Sequence, residues 1–256
     1  MNSYTITLKL TASEYIYNNI EMRRCTQQCA MHRQHYKTVI MGGGPMGNSI
    51  ALHLSQMIKK ANADASILVV ERDQTYKYNS AMLSCGGIRQ QFSLKENIFL
   101  STYGAQFVKS FKELKFDEYG YLFLFDEKNR NVMEHNHGEQ LKCGADWIEA
   151  LDATKLSSKF PLLSLTNDDD RGRDIVVGTF GNKNEGFIDP WQFTMLMKEQ
   201  ALALGVEFVE GDVVDGTITC DSSSGSTYTL ESIQIKSKEE EKTLTADTFV
   251  NAVSKS

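Results

Sequence analysis

Apolar residues along this chain fall into short runs separated by polar stretches, and the spacing predicts a sequence of strands and helices. Lys37-Thr38-Val39-Ile40-Met41 reads as a buried strand, and Asn48-Ser49-Ile50-Ala51-Leu52-His53-Leu54 as the start of a helix. Ile67-Leu68-Val69-Val70 predicts a second buried strand that ends in Glu71. Gln74 to Ser84, continuing into Cys85-Gly86-Gly87-Ile88-Arg89, is small and polar and reads as a loop. Leu94 to Leu114 predicts a helix with an apolar stripe of Ile98, Tyr103, Phe107, Val108 and Phe111. Tyr119 to Phe125, Asp146 to Leu151 and Asp174 to Phe180 predict strands, and Ala153 to Phe160 a helix stopped by Pro161. His135 and His137 lie in a polar stretch, Glu134 to Glu139, that reads as a solvated loop rather than a metal site. Asp168-Asp169-Asp170-Arg171-Gly172 reads as a solvated charged turn.

Asp189 with Pro190 after it makes a strong helix start, an N-cap followed by a residue suited to the first helical position. The helix so begun runs to Leu204 and stops at Gly205. Val206 to Val214 then predicts two strands broken at Gly211, Thr217 to Ile235 hairpins, Glu239 to Lys242 a turn, and Ala246 to Ala252 a further buried strand.

The junction between the first strand and the first helix carries chemistry. Gly42, Gly44 and Gly47 form a G-x-G-x-x-G run, Gly42-Gly43-Gly44-Pro45-Met46-Gly47. The first glycine permits the tight turn, the second lets backbone approach a pyrophosphate, and the third lets helix and strand pack closely. The first-turn amides of the helix have no internal partners and point at the anion. Glu71, 24 residues after Gly47, is placed to bind a ribose hydroxyl, with the polar stretch Lys59 to Asp64 absorbing the extra length. The alternative is an ordinary βαβ unit with a glycine-rich turn.

Length and charge narrow the field. The chain has 256 residues, enough for one large or two modest domains, and a formal net charge of -6 with no basic stripe, which argues against nucleic acid as a partner. Its uninterrupted apolar runs are four or five residues, far short of a membrane span. Cys25, Cys29, Cys85, Cys143 and Cys220 are odd in number and contain no C-x-x-C pair, so neither a zinc site nor a disulfide framework is indicated and a reducing compartment is. Residues 1–36 are basic and hydroxyl-rich, with Glu14 and Glu21 against the pattern of a transit peptide; organelle import and a frayed extension are both open.

Four blocks make the chain resemble the FAD-dependent oxidoreductases of the D-amino-acid oxidase and sarcosine oxidase type: Val39 to Gly47, Val69 to Asp73, Ser84 to Ser93, and Gly186 to Trp191. The third is the most specific, and weaker matches are Trp147 to Pro161 and Leu204 to Val213. The likeness covers about Lys37 to Ala252 and is strongest to a mitochondrial branch linked to respiratory complex I assembly. It implies an α/β fold, an FAD-binding Rossmann-like βαβ domain with an interleaved, incomplete antiparallel-sheet substrate domain. The implied division is a targeting or frayed extension over 1–36, FAD-binding parts over 37–115 and 186–256, and substrate-domain strands over 116–185.

By position, the resemblance implies that Gly42, Gly43, Gly44, Met46 and Gly47 hold the FAD pyrophosphate. Glu71 would bind the adenosine ribose with Arg72 close by. Ser80, Ser84, Gly86, Gly87 and Ile88 would line the phosphate, ribityl and flavin ring, and Val213 would offer backbone to the adenine. Relatives that hold flavin covalently use a His near this loop or a Cys elsewhere. The loop has no His, and Cys85 reads as a small buried thiol. Relatives continue past the last strand with an Asn-Ala-(Ala)-Gly-Ala-Trp-Ser type turn and a long C-terminal portion, whereas this chain reads Asn251-Ala252-Val253-Ser254-Lys255-Ser256. The implied chain is a partial form of the complete oxidoreductase.

The implied reaction is oxidation of the C–N bond of a small amine or amino acid with hydride transfer to flavin. Arg89 is the catalytic candidate, a cation able to hold a substrate carboxylate or steady the reduced ring, with a surface or ion-paired arginine as the bland reading. Two other functions share the motifs: a flavin-stabilised assembly factor without turnover, and an NAD(P)-dependent dehydrogenase using the same turn.

Overall fold

The computed structural model describes residues 33–63, 66–165, 174–221, 227–238 and 240–253. In chain order the elements begin with β1 (His35–Met41), α1 (Pro45–Lys60), β2 (Ile67–Glu71), β3 (Gly87–Ile88), α2 (Lys95–Lys109), β4 (Phe116–Asp117) and β5 (Tyr121–Phe125). They continue with α3 (Arg130–Lys142), β6 (Ile148–Asp152), α4 (Ala153–Lys159), β7 (Val177–Gly181), β8 (Gly186–Ile188) and α5 (Pro190–Ala203). The last are β9 (Glu207–Glu210), β10 (Asp212–Asp221), β11 (Thr227–Lys236) and β12 (Glu241–Asn251). The charged turn expected at Asp168–Gly172 lies outside the described residues.

The chain divides into two compact units. The first takes the described residues up to Gly43, from His53 to Gln74 and from Leu202 to Ala252; the second takes Gly44–Leu52, Thr75–Ala201 and Val253.

The first unit is built on one six-stranded sheet in the order β10-β11-β12-β1-β2-β9. β12, β1, β2 and β9 run parallel, with Ile40 opposite both Val69 and Val250, while β10, β11 and β12 are joined antiparallel. Strands covered on both faces read as unbroken apolar runs. Val39, Ile40, Leu68, Val69 and Val70 are accordingly all buried. Tyr36, Val39, Leu68, Val70, Ile233, Ile235 and Leu244 form one core cluster, each large aliphatic side chain contributing roughly 1.5–3 kcal/mol by burial.

β12 departs from the expected buried strand. Of its eleven residues only Leu244 is fully buried, with Phe249 and Val250 half-buried and Thr248 exposed. Its backbone lies between β11 and β1, so the main chain is satisfied in the ladder while alternate side chains face outward. Glu241 and Lys242, expected in a turn, already belong to this strand, Lys242 opposite Ile235. The reversal before them is closed by the Ser237 amide donating to the Glu240 carbonyl at 2.9 Å.

The second unit carries two three-stranded antiparallel sheets, β3-β8-β4 and β5-β7-β6, with α2 to α5. α2 stops at Lys109 rather than Leu114. The Ser110 hydroxyl donates to the Phe107 carbonyl at 2.6 Å, and the Phe111 and Leu114 amides then bond three residues back as separate turns. Phe111 reaches the interior from the turn, meeting Phe107 and Phe193 edge to face, while Tyr103 of the expected stripe is 56% exposed.

The polar stretch Glu134 to Glu139 is helical, not a loop. α3 buries only Met133 and Gln140, too few apolar positions to leave a periodic signature. His137 engages the Ile148 carbonyl at 2.8 Å. Among the described residues no three His, Cys, Asp or Glu gather as a metal site, and no helix is long and apolar enough to cross a membrane.

The start of α5 matches the sequence. The Asp189 carboxylate accepts from the amides of Trp191 and Gln192 at 2.9 and 3.2 Å, and Gly205 ends the segment with φ of 88°. Asp189→Ala should therefore lower unfolding free energy by about 1 kcal/mol, read from urea denaturation. An unchanged midpoint would contradict the capping role.

Candidate functional site

In the first unit the end of β1 and the end of β2 are bound to each other through a carboxylate. Gly42 has φ of 100°, where a side chain would be strained, and its amide donates to the Val70 carbonyl at 2.8 Å. The Gly43 amide donates to Glu71 Oε2 at 2.7 Å and the Asp73 amide to Glu71 Oε1 at 3.1 Å. A Cβ on Gly43 would lie 2.9 Å from the Glu71 Cβ, so bare backbone is required for this approach. An ionised carboxylate accepts about four hydrogen bonds, and two from amides leave capacity for ribose hydroxyls. The Gly211 amide donates to the Glu71 carbonyl at 2.9 Å, and Arg72 Nε sits 2.6 Å from Asp212 Oδ1. Val213 follows, paired with Ile235 and 38% exposed. Gly42, Gly43, Glu71, Arg72 and Val213 are thus gathered at one end of the sheet.

In the second unit, the Asn48 amide closes the first turn of α1 onto the Gly44 carbonyl at 2.9 Å. That places Gly44 at the cap, with Met46, 65% exposed, and Gly47 in the first turn. A helix start of this kind directs amides and a positive partial charge outward, which suits a phosphate. A Cβ on Gly44 would lie 2.7 Å from Asn79 Nδ2. Asn79, which the sequence did not single out, also accepts from the Ala81 amide at 2.9 Å. Ser80 is exposed. The Ser84 hydroxyl donates to the Ala81 carbonyl at 2.7 Å and accepts from the Gly86 amide at 3.1 Å. Cys85 lies on the outside of that reversal, exposed rather than buried as expected, with its thiol near the Tyr121 hydroxyl.

β3 is held closely from both sides. Gly86 has φ of 64°, and a Cβ there would meet the Ile188 carbonyl at 2.1 Å; one on Gly87 would meet the Tyr121 hydroxyl at 1.9 Å. Ile88 pairs with Gly186. Next in the chain, the Arg89 guanidinium stands 5.1, 5.9 and 5.3 Å from the ring centres of Phe92, Tyr121 and Phe123. Its Nε is buried and has no hydrogen-bond partner. Cation–π contacts of this kind contribute about 0.5–2 kcal/mol but satisfy no donor. Arg89 lines a largely apolar cavity of about 440 Å³ with Ile88, Phe92, Ser101, Phe107 and Phe193 among its walls. Arg89 is half-buried.

A second residue of the site that feels the Arg89 charge is Glu185, which the sequence did not single out. It is fully buried. It accepts from the Gln90 amide at 2.9 Å and from Gln91 Nε2 at 2.7 Å. Gln91 is fixed in turn, donating to the Tyr121 carbonyl at 2.9 Å and accepting from the Thr179 hydroxyl at 2.6 Å. Burial pushes the Glu185 carboxyl above the usual carboxylate range, outweighing the Gln91 and Gln90 hydrogen bonds and the Arg89 charge that pull it down. One signal could have marked it: a lone acid immediately before Gly186-Phe187-Ile188.

A parallel sheet with a glycine turn at a helix start and a carboxylate on the next strand defines a dinucleotide-binding α/β protein. The chain belongs to the FAD-dependent oxidoreductases of the DAO family, whose model matches residues 37–254. FAD-dependent oxidoreductase domain-containing protein 1 of Xenopus laevis is 39% identical over 188 residues, 69% of this chain and 36% of that protein. Its counterpart from Bos taurus is 34% identical over 209 residues, 76% of this chain and 41% of that protein. The chain thus spans about two fifths of the length of these curated relatives. Among solved structures, L-proline dehydrogenase from P. horikoshii matches with a TM-score of 0.68 at 20% identity, over 86% of this chain and 53% of that one. L-amino acid deaminase from Proteus myxofaciens, solved in complex with anthranilate, matches with a TM-score of 0.62 at 17% identity, over 87% of this chain and 46% of that one. These likenesses show the mixed α/β oxidase fold expected from the sequence. The family cofactor is FAD; in the first unit the bare backbone at Gly43 and the tethered Glu71 suit its ribose, and in the second the helix start suits a phosphate.

Glu185 gives a pH-dependent expectation. A carboxyl held above its unfolded value binds more protons in the folded state, so its contribution to stability is present below the usual carboxylate range and falls as pH rises toward the folded value. The stability advantage of the wild type over Glu185→Gln, from urea denaturation, should shrink as pH rises above about 4.5. Glu185→Ala should be destabilised by about 1–3 kcal/mol for each amide left without an acceptor. An advantage that grows with pH would contradict the assignment.

Proposed function

We propose that this chain is the cofactor-binding portion of an oxidoreductase that removes two electrons from the C–N bond of an amine or amino acid. The observation that carries this reading is Arg89, a half-buried cation whose buried Nε has no hydrogen-bond partner among the described residues, on the wall of an apolar cavity. When bound, FAD supplies the two-electron acceptor for the reaction.

The chain's own residues divide the remaining work. Gly42, Gly43, Gly44, Met46 and Gly47 offer amides and bare backbone to the pyrophosphate, and Glu71 accepts from the ribose with Arg72 beside it. Val213 presents strand backbone to the adenine. Ser80, Ser84, Gly86, Gly87 and Ile88 form the loop for the ribityl chain and ring. Arg89 holds a substrate carboxylate, its guanidinium flanked by three aromatic rings. The apolar walls exclude water, which strengthens that ion pair. The structural neighbours support the substrate class, since they are an L-proline dehydrogenase and an L-amino acid deaminase. A mitochondrial location, suggested by the sequence resemblance, is part of the same reading.

Anaerobic mixing of the FAD-loaded protein with a panel of amino acids and secondary amines should bleach the visible flavin band with at least one of them. Arg89→Met should raise the concentration needed for half-maximal bleaching ten-fold or more while leaving FAD bound. If no amine reduces the flavin, the proposal fails and the alternative, a flavin-stabilised factor for assembly of respiratory complex I, takes its place.

A further inference from the structure

Gly104 sits in the interior of α2, where glycine is about 0.5–1 kcal/mol less favourable than alanine. Nothing in the fold demands it. A Cβ at this position would meet no atom within 4 Å, unlike Gly86 or Gly87, where backbone or a hydroxyl occupies that space. Ser101, Gly104, Phe107 and Val108 are spaced by three and four residues, so they share one face of the helix. All four line the 440 Å³ cavity that Arg89 also borders. The missing side chain therefore enlarges the cavity beside a largely apolar wall, and packing within the protein gains nothing from it.

We infer that Gly104 is a specificity-determining residue, its bare backbone admitting the apolar group of a carboxylate ligand whose anionic end is held by Arg89. The inference rests on the reading of the cavity given under the proposed function. The class of ligand it selects is a monocarboxylate carrying a bulky aromatic or branched apolar group, because among the described residues the one charged wall residue is Arg89 and the space beside Gly104 is lined by Phe107 and Val108. A leucine at position 104 would occupy that space while raising helix propensity, so the substitution obstructs the cavity without removing a contact that holds the fold.

Calorimetric titration of the FAD-loaded chain with anthranilate as the bulky probe and acetate as the small one tests this. Thermal unfolding of each variant is measured alongside. Wild type should bind anthranilate more tightly than acetate. Gly104→Leu should weaken anthranilate about ten-fold or more and acetate less than about two-fold, with FAD affinity unchanged and the unfolding midpoint equal or higher. Gly138→Ala, at a helical glycine that also has open space around it and does not line the cavity, should raise stability without changing either probe. Arg89→Met should weaken both probes. Anthranilate binding that survives Gly104→Leu but is lost in Arg89→Met overturns the inference and leaves the functional reading standing. Loss of FAD in Gly104→Leu also overturns it. If neither probe binds wild type, or both ignore Arg89→Met, the functional reading itself fails and the inference with it.

Discussion

The hydrogen bond from the Gly43 amide to the Glu71 carboxylate joins two features that a dinucleotide site needs in one place. It fixes the glycine turn against the end of β2, and it fixes the acidic side chain near the turn. The bond is possible because Gly43 has no side chain; a Cβ would press on the stem of Glu71. A second amide, from Asp73, holds the other carboxylate oxygen. Both oxygens are thus oriented before any ligand arrives, which reduces the ordering that binding must impose. The arrangement in turn depends on buried parallel strands, because Val39, Ile40, Val69 and Val70 bring β1 and β2 side by side in register.

The second unit solves a different problem, which is to keep a cation in an apolar setting. Arg89 is surrounded by rings, while Glu185 stands buried behind the adjacent residues. A buried charge without compensation is strongly unfavourable. Arg89 itself is only half-buried, and the buried Glu185 carboxylate nearby has its acceptor capacity used by Gln90 and Gln91. The Gln91 side chain then reaches β5 and β7. One network therefore ties the loop that carries Arg89 to the sheet beneath it. The guanidinium is held in direction by packing and left with hydrogen-bonding capacity for a ligand.

Much of the first unit was legible in the sequence because its signals are local and redundant. Buried parallel strands give continuous apolar runs, and the turn between strand and helix uses glycines that few other contexts require together. Asp189 and Pro190 announced α5 for the same reason. α3 was illegible because a helix that buries little has no apolar period, and its polar residues mimic a loop. β12 was read as buried from its apolar residues, although in a sheet the backbone can be interior while alternate side chains are not. Asn79 had no signal as a site residue, and Glu185 only a faint one, its place before Gly186. Glu185 acts through partners distant in sequence, Gln90 being 95 positions away, and such pairings leave no spacing pattern. Gly104 was hidden for the opposite reason, since a single glycine in an amphipathic helix looks like tolerated noise until the space around it is seen.

The central claim is that the turn from Gly42 to Gly47 and the Glu71 carboxylate together hold FAD. Its most direct test is the FAD dissociation constant of the chain, measured by flavin fluorescence, for wild type and for the double variant Gly44→Val, Glu71→Ala, with circular dichroism to show that both are folded. The account expects the double variant to bind at least about a hundred-fold more weakly, the loss of roughly 2.7 kcal/mol. A folded double variant with undiminished affinity would contradict it.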